Sequence, residues 1–253
     1  MINTGYESFA RFYDALTDNV DHEGIAQLVH SLVQKYADYK EVILDLACGT
    51  GALSEKLAQK GYDVVGVDNS PEMLEMAQRR LEGKDLPVTL LLQDMTKLDL
   101  YGAVDCTVCL LDSLNHLKNK QQLQKSFERV SMFTCDGGLF VFYLNTEYKH
   151  RQILADNAFN FDKQDFFCAW QNELAENGDV HIYLDFFLKE KDGRYSRSSD
   201  DFTEILFGDD FVHTELEKCG FELIGRFDDF SLEPVTETSQ RVLWVCKKRS
   251  ADK

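Results

Sequence analysis

The residues best suited to chemistry begin in the stretch Val42 to Ser54, which reads Val-Ile-Leu-Asp-Leu-Ala-Cys-Gly-Thr-Gly-Ala-Leu-Ser. Gly49 and Gly51 carry no Cβ, so a ligand can lie against the backbone there and the chain can take positive φ. A helix starting just after Gly51 points its first N–H groups at the same place and favours an anionic group, a carboxylate or a phosphate. Asp68 stands 17 residues past Gly51, where an acid in a nucleotide-binding βαβ unit accepts hydrogen bonds from ribose hydroxyls. The plainer role for that carboxylate is to cap a loop. Asp94 beside Met95 suits an adenine ring, with the carboxylate accepting from the exocyclic amine and the thioether packing on the ring face. In the polar run Asp112-Ser113-Leu114-Asn115-His116-Leu117, His116 is a general base, a group that orients a substrate, or a cap for the next helix.

These residues need a scaffold, and hydrophobic patterning supplies one. Short apolar runs at Val42–Leu46, Asp63–Val67, Val88–Leu92, Val104–Leu111 and Leu139–Leu144 read as strands, the first of them buried on both faces. Helical spacing fills the gaps between several of them: Ser70-Pro71 caps the helix that runs through Met73, Leu74, Ala77 and Leu81, and a helix through Leu123, Phe127, Val130 and Phe133 ends at Gly137-Gly138. In open α/β sheets ligands bind beyond the carboxyl ends of the strands, so all the candidates above face one crevice. Two helical pieces precede this unit, one through Phe9, Phe12, Tyr13 and Leu16 and one from Ile25 to Tyr36. The aromatics of the first are either core or a lid, and Tyr13 suits a lid because it joins an apolar body to a hydroxyl.

From Asn145 the pattern changes to alternation. Ile182, Leu184, Phe186 and Leu188 lead to the hairpin signal Asp192-Gly193, a second arm passes through Phe202, Ile205 and Phe207, and Phe166–Leu174 adds a third strand. The aromatics of this region, Tyr183 and Tyr195 among them, are core or the wall of a substrate pocket, with core the better reading. A helix from Asp209 and two closing strands, Phe221–Phe227 and Arg241–Lys247, complete the chain. The expected fold class is α/β, with residues 1–145 and 208–250 forming one domain and residues 146–207 an inserted small antiparallel sheet.

Composition narrows the possible partners. At 253 residues, with 44 acidic against 27 basic side chains and a net charge of -17, the chain repels phosphate backbones, which argues against nucleic acid. No apolar run approaches the roughly 20 residues of a membrane span and no basic, apolar leader opens the chain, so it reads as soluble and cytoplasmic. Seven scattered cysteines suit a reducing compartment. Cys106 and Cys109 have metal-like spacing, but residues three apart on a strand face opposite sides, and no metal is expected.

Taken together, Leu44-Asp45-Leu46-Ala47-Cys48-Gly49-Thr50-Gly51, Val67-Asp68-Asn69-Ser70-Pro71-Glu72-Met73-Leu74 and Gln93-Asp94-Met95 resemble the class I S-adenosylmethionine-dependent methyltransferases. Ala47 stands where the first glycine of that family's loop is usual. The resemblance covers residues 1 to about 145 and the terminal strand pair, and the inserted sheet looks like that of small-molecule N-methyltransferases of the glycine and sarcosine type. It implies a Rossmann-like seven-stranded sheet and S-adenosylmethionine as cofactor. Ala47, Gly49 and Gly51 would border the methionyl group, Asp45 would support its ammonium and Asp68 would take the ribose hydroxyls. Asn69 and Met73 would flank the adenosine, Asp94 and Met95 would hold the adenine, Leu111 and Asp112 would lie near the sulfonium, and Tyr13 would close over it. The implied reaction is in-line methyl transfer to a small-molecule acceptor, through nitrogen or oxygen, helped mainly by alignment and exclusion of water. A nicotinamide-dependent oxidoreductase shares the glycine loop and distal acid, and a cofactor-binding regulator without turnover would share the whole fold. Oligomeric state is not legible.

Overall fold

The computed structural model describes residues 7–190 and 192–250, with the side chains of Glu7, Ser8, Phe9 and Arg11 outside the description. Phe9 of the first aromatic helix is therefore not placed. Five parallel strands, β1 (Val42–Leu46), β2 (Asp63–Asp68), β3 (Val88–Leu92), β4 (Val104–Cys109) and β5 (Thr134–Asn145), form the centre of the main sheet. They follow the spatial order β3-β2-β1-β4-β5. The chain moves outward from β1 to β3, then crosses back to β4 on the other side of β1. That reversal opens a crevice at the carboxyl ends of β1 and β4, where side chains and loops can surround a ligand.

Helices cover both faces. On one side α2 (His22–Tyr36) and α3 (Ala52–Gln59) pack Ile25, Val29, Leu32 and Leu57 against Ile43, Val108, Val141 and Tyr143. On the other, α5 (Lys120–Phe133) and α6 (Asp209–Lys218) pack Phe127, Val130, Val212 and Leu216 against Leu44, Phe140, Phe142 and Trp244. Cys106 belongs to the first cluster and Cys109 to the second, as strand alternation requires. The sheet closes with antiparallel β12 (Arg241–Lys248) beside β5 and β10 (Phe221–Asp228) beside β12. A two-residue edge strand, β11 (Glu233–Pro234), makes the count eight instead of the expected seven. α4 (Pro71–Leu81) starts at the Ser70 cap, whose hydroxyl accepts from the Met73 N–H at 3.1 Å.

The second sheet is a four-stranded antiparallel meander of β6 (Ala158–Asp162), β7 (Phe166–Leu174), β8 (Val180–Lys189) and β9 (Tyr195–Glu204). Its inner face buries Phe166, Cys168, Ile182, Leu184 and Phe186. Phe12 of α1 (Glu7–Leu16) seals that face, its ring centroid 4.5 Å from Phe166 and 5.6 Å from Phe186.

Several expectations need correction. Tyr183 and Tyr195 are 42% and 59% exposed, because alternation along β8 and β9 turns them to the solvent face. Ile205 and Phe207 lie past the end of β9 and pack into the main core instead. β6 carries only two aromatics among polar residues, too weak a pattern to register as a strand. Gly137 and Gly138 do not end α5. The helix stops at Phe133, and both glycines lie inside β5, where the pairing with β4 jumps from Val104↔Thr134 to Cys106↔Leu139. Glycine accommodates such a bulge as readily as it ends a helix.

Phe127 is fully buried and touches Phe140 and Phe142 at centroid distances of 5.5 and 5.4 Å. Phe127→Ala is expected to cost about 3–5 kcal/mol of folding stability, read as a lower denaturation midpoint with an unchanged slope.

Candidate active site

β1 delivers the chain into the glycine loop with three residues in the left-handed region: Ala47 at φ 61°, Gly49 at 54° and Gly51 at 74°. Ala47 thus adopts the conformation that glycine takes at no steric cost, a strain of about 1–2 kcal/mol. At Gly51 a Cβ would also come within 3.0 Å of the Ala77 Cβ on α4, so loop and helix could not keep their spacing. The loop is fixed from below by Asp68. Its Oδ2 accepts from the Gly49 N–H at 2.8 Å and its Oδ1 from the Ser70 N–H at 2.9 Å. Burial raises the Asp68 pKa, and those two N–H bonds oppose the shift. The loop-capping role is thus part of the geometry, and each oxygen keeps a further lone pair for a ligand. Asp45, buried one strand inward, accepts from the Ser54 hydroxyl at 2.5 Å, and burial pushes its pKa up to about 6.

The other motifs arrive at the same edge. Asp68 pairs with Leu92 in the β2–β3 ladder, and the Gln93 N–H donates to the Asp68 carbonyl at 2.9 Å, so Asp94 and Met95 follow directly beside the acid. Asp94 Oδ1 caps the next turn, accepting from the Thr96 N–H and hydroxyl at 2.8 Å each. Met95 is half-buried against the main core, whereas Asn69 is exposed. Met73 is buried and Tyr13 half-buried, and both border the loop: a Cβ on Gly49 would lie 3.9 Å from the Met73 Sδ and 3.9 Å from the Tyr13 Cε1. Asp14 anchors α1 in that position by accepting from the Thr50 hydroxyl at 2.6 Å and pairing with Arg80. Burial, then Asp112 and Asp68, hold the Tyr13 phenol well above its ordinary pKa, so it stays neutral. Leu111, at φ 58°, turns the chain from β4 toward Asp112.

Around Asp112 the structure assembles a polar cluster whose other members sequence reading did not single out. Asp112 accepts from the Lys149 ammonium at 3.3 Å and from the Arg241 Nε at 3.2 Å, and these cations hold its pKa well below the usual carboxylate range against the opposing effect of burial. Lys149 also donates to the Asn145 Oδ1 at 2.9 Å, and the Asn145 amide donates to Glu204 at 2.7 Å. Asn115 is a bracket: its amide donates to the Ile205 carbonyl at 2.9 Å and its Oδ1 accepts from the Asn145 N–H at 3.0 Å. Lys149 opens a π-helical turn, Lys149–Leu154, a feature that recurs at functional sites and was the available signal for this cluster only once coordinates exist. His116 stands in a 3₁₀ turn with its ring 4.6 Å from Phe202, and burial lowers its pKa. It does not cap α5, because Asn119 does, accepting from the Gln122 N–H at 3.0 Å.

Residues 43–138 match the methyltransferase domain family. A chain of Geobacillus sp. (strain WCH70) named as a methyltransferase is 31% identical over 245 residues, 96% of this chain and 99% of that one. The glycine/sarcosine N-methyltransferase of Parasynechococcus marenigrum (strain WH8102) is 26% identical over 228 residues, 88% of this chain and 78% of its own length. The crystal structure of an S-adenosylmethionine-dependent methyltransferase from Clostridium acetobutylicum ATCC 824 matches with a TM-score of 0.87 at 29% identity, covering 97% of this chain and 99% of that one. The chain belongs to the class I S-adenosylmethionine-dependent methyltransferases. It is an enzyme of that class and S-adenosylmethionine is its cofactor, which displaces the nicotinamide and non-catalytic alternatives.

Glu204 is 3% exposed and burial pushes its pKa up to about 7. A carboxyl raised in the folded state stabilises most where it is protonated in both states, and that contribution is lost as pH rises through the folded value. Glu204 is therefore expected to contribute a fall in stability of roughly 2–3 kcal/mol between about pH 5 and pH 8. Glu204→Gln should flatten that decline in denaturant titrations; an unaltered slope with pH would assign it elsewhere.

Proposed function

We propose that this methyltransferase acts on a small-molecule acceptor seated between the carboxyl edge of the main sheet and the polar end of the small sheet. The observation that carries this reading is the gathering of groups at the carboxyl ends of the strands: the Asp68-braced glycine loop and the Asp112–Lys149–Arg241 cluster, with Tyr13 near Asp112 and Asp68. The -17 net charge disfavours nucleic acid as acceptor. The kinship with a glycine/sarcosine N-methyltransferase supports nitrogen as the methylated atom. No helix among the described residues is long and apolar enough to cross a membrane, which is consistent with a cytoplasmic site of action.

The residues fit the cofactor on the chain's own geometry. Gly49 leaves bare backbone between Tyr13 and Met73 where the cofactor's methionyl group needs close approach, and two buried carboxylates, Asp45 and Asp68, stand ready for an ammonium and for ribose hydroxyls. Ala47 and Gly51 complete the border of the methionyl group, while Asn69, Asp94 and Met95 serve the adenosine and its base. S-adenosylmethionine supplies a methyl group already activated by its sulfonium charge. The chain has three tasks left. Tyr13 closes over the loop and excludes water, Leu111 and Asp112 set the floor beneath the reacting centre, and His116 takes a proton where the acceptor arrives protonated.

Two outcomes test this assignment. Asp68→Ala is expected to weaken S-adenosylmethionine binding by about 1–3 kcal/mol in calorimetry, through lost hydrogen bonds and a loosened Gly49; undiminished affinity would place the ribose elsewhere. Asp45 must be ionised to hold an ammonium, and its pKa is pushed up to about 6. Cofactor affinity is therefore expected to fall as pH drops through about 6, and Asp45→Asn should be weaker at pH 7.5 and should lose that dependence.

A further inference from the structure

Several polar groups near Arg241 take no part in holding the cofactor or in methyl transfer. Arg241 begins β12 and its Nε is committed to Asp112. Nη1 stands 3.9 Å from the Asp229 Oδ2, beyond hydrogen-bond distance, and Nη2 has no hydrogen-bond partner among the described residues. Four of the five guanidinium N–H donors are thus unspent on a side chain only 27% exposed. The Asp229 Oδ1 and the Tyr143 hydroxyl are fully buried atoms with no hydrogen-bond partner. Native proteins rarely leave such groups unsatisfied, and where several gather a ligand or water belongs among them.

Strand register places these groups together. Arg241 pairs with Asn145 and Leu243 with Tyr143, so Arg241 and Tyr143 are diagonal neighbours on one face of the sheet. The Asp229 N–H donates to the Arg241 carbonyl at 3.2 Å, which sets Asp229 on the other flank. Asp229 and Leu232 both take positive φ, at 45° and 58°, so the loop holds a conformation that its residues disfavour, as loops at functional sites do. Phe230 between them closes on the Tyr143 ring at 4.9 Å. The Tyr143 phenol remains neutral because burial and then Asp229 raise its pKa, so it is available as a donor.

A planar fork of four free N–H donors matches the two oxygens of a carboxylate better than it matches any neutral group. We propose that Arg241, through its Nη1 and Nη2, holds a carboxylate carried by the methyl acceptor, with the Tyr143 hydroxyl beside it, so that the acceptor class is small molecules bearing an acid group. This rests on the small-molecule reading of the site. Lys149 cannot fill the role, since its three N–H donors already meet Asp112 and Asn145. Arg241 shares Asp112 with Lys149, so an acid bound at the fork comes to lie beside Asp112 at the carboxyl end of β4, near the methyl group to be transferred.

The test loads the protein with S-adenosylhomocysteine, which puts the cofactor's own carboxylate in place. Acetate, glycine and benzoate are then titrated against acetamide, glycinamide and benzamide by calorimetry at fixed ionic strength. The carboxylates are expected to bind saturably and at least tenfold tighter than their amides. Arg241→Lys, which keeps a cation beside Asp112 but loses the fork, should weaken them at least tenfold while S-adenosylhomocysteine affinity changes less than threefold. Amides binding as well as carboxylates, no saturable carboxylate binding, or carboxylate binding indifferent to Arg241→Lys would each overturn the proposal. So would a loss of S-adenosylhomocysteine affinity in Arg241→Lys alone, which would give the fork to the cofactor's own acid. A retained carboxylate site with methyl transfer found only to a macromolecule would instead sink the small-molecule reading.

Discussion

A loop built from residues at positive φ has no side chains of its own to hold it, and here that loop must keep its backbone exposed to a ligand. The Asp68 carboxylate solves the difficulty by reaching back from the end of β2 to take the Gly49 N–H while its other oxygen takes the Ser70 N–H that opens α4. One buried charge thereby fixes the turn after β1, the start of the next helix and the spacing between them. Two backbone N–H bonds to an anion are stronger than neutral ones and offset part of the cost of burying it. Gly51 tightens the same joint, because its bare Cα is what lets α4 approach at Ala77. Tyr13, Met73 and Asp94 find their places relative to this turn.

A second constraint joins the two sheets. The Lys149 ammonium is spent on Asp112 at the end of β4 and on Asn145 at the end of β5, and Asn145 carries the connection on to Glu204 at the end of β9. Asn115 stitches the same three strand ends through the backbone. A cluster of buried polar groups contributes little net stability compared with apolar packing, but each group has few geometries in which it is satisfied. The small sheet is therefore set at a defined angle to the main sheet, with its apolar inner face closed by Phe12 and its polar end turned to the crevice.

α1 links both constraints. Asp14 ties it to Thr50 and Arg80 beside the glycine loop, and Phe12 inserts into the small sheet from the opposite side of the helix. One helix thereby touches both the glycine loop and the small sheet.

What the chain encodes locally could be read from it directly. The parallel core strands are short runs apolar on both faces, the Ser70-Pro71 cap is a two-residue signal, and the glycine spacing after β1 demands a loop that only a backbone-binding ligand uses well. These depend on neighbours within a few residues, and so the Gly49, Asp68 and Asp94 edge of the site was legible. Misreadings arose where tertiary packing overrides a local pattern: Ile205 and Phe207 extend an alternating run but leave the sheet to fill the main core, and Gly137 and Gly138 serve as a bulge instead of a helix end. The polar cluster around Asp112 was closed to sequence reading for a different reason. Asp112 and Arg241 are 129 residues apart and Asn145 and Glu204 are 59, and an isolated lysine, arginine or asparagine in a polar stretch looks like any solvated residue. Only the meeting of strand ends in three dimensions removes the water around them and turns scattered surface charges into one buried site.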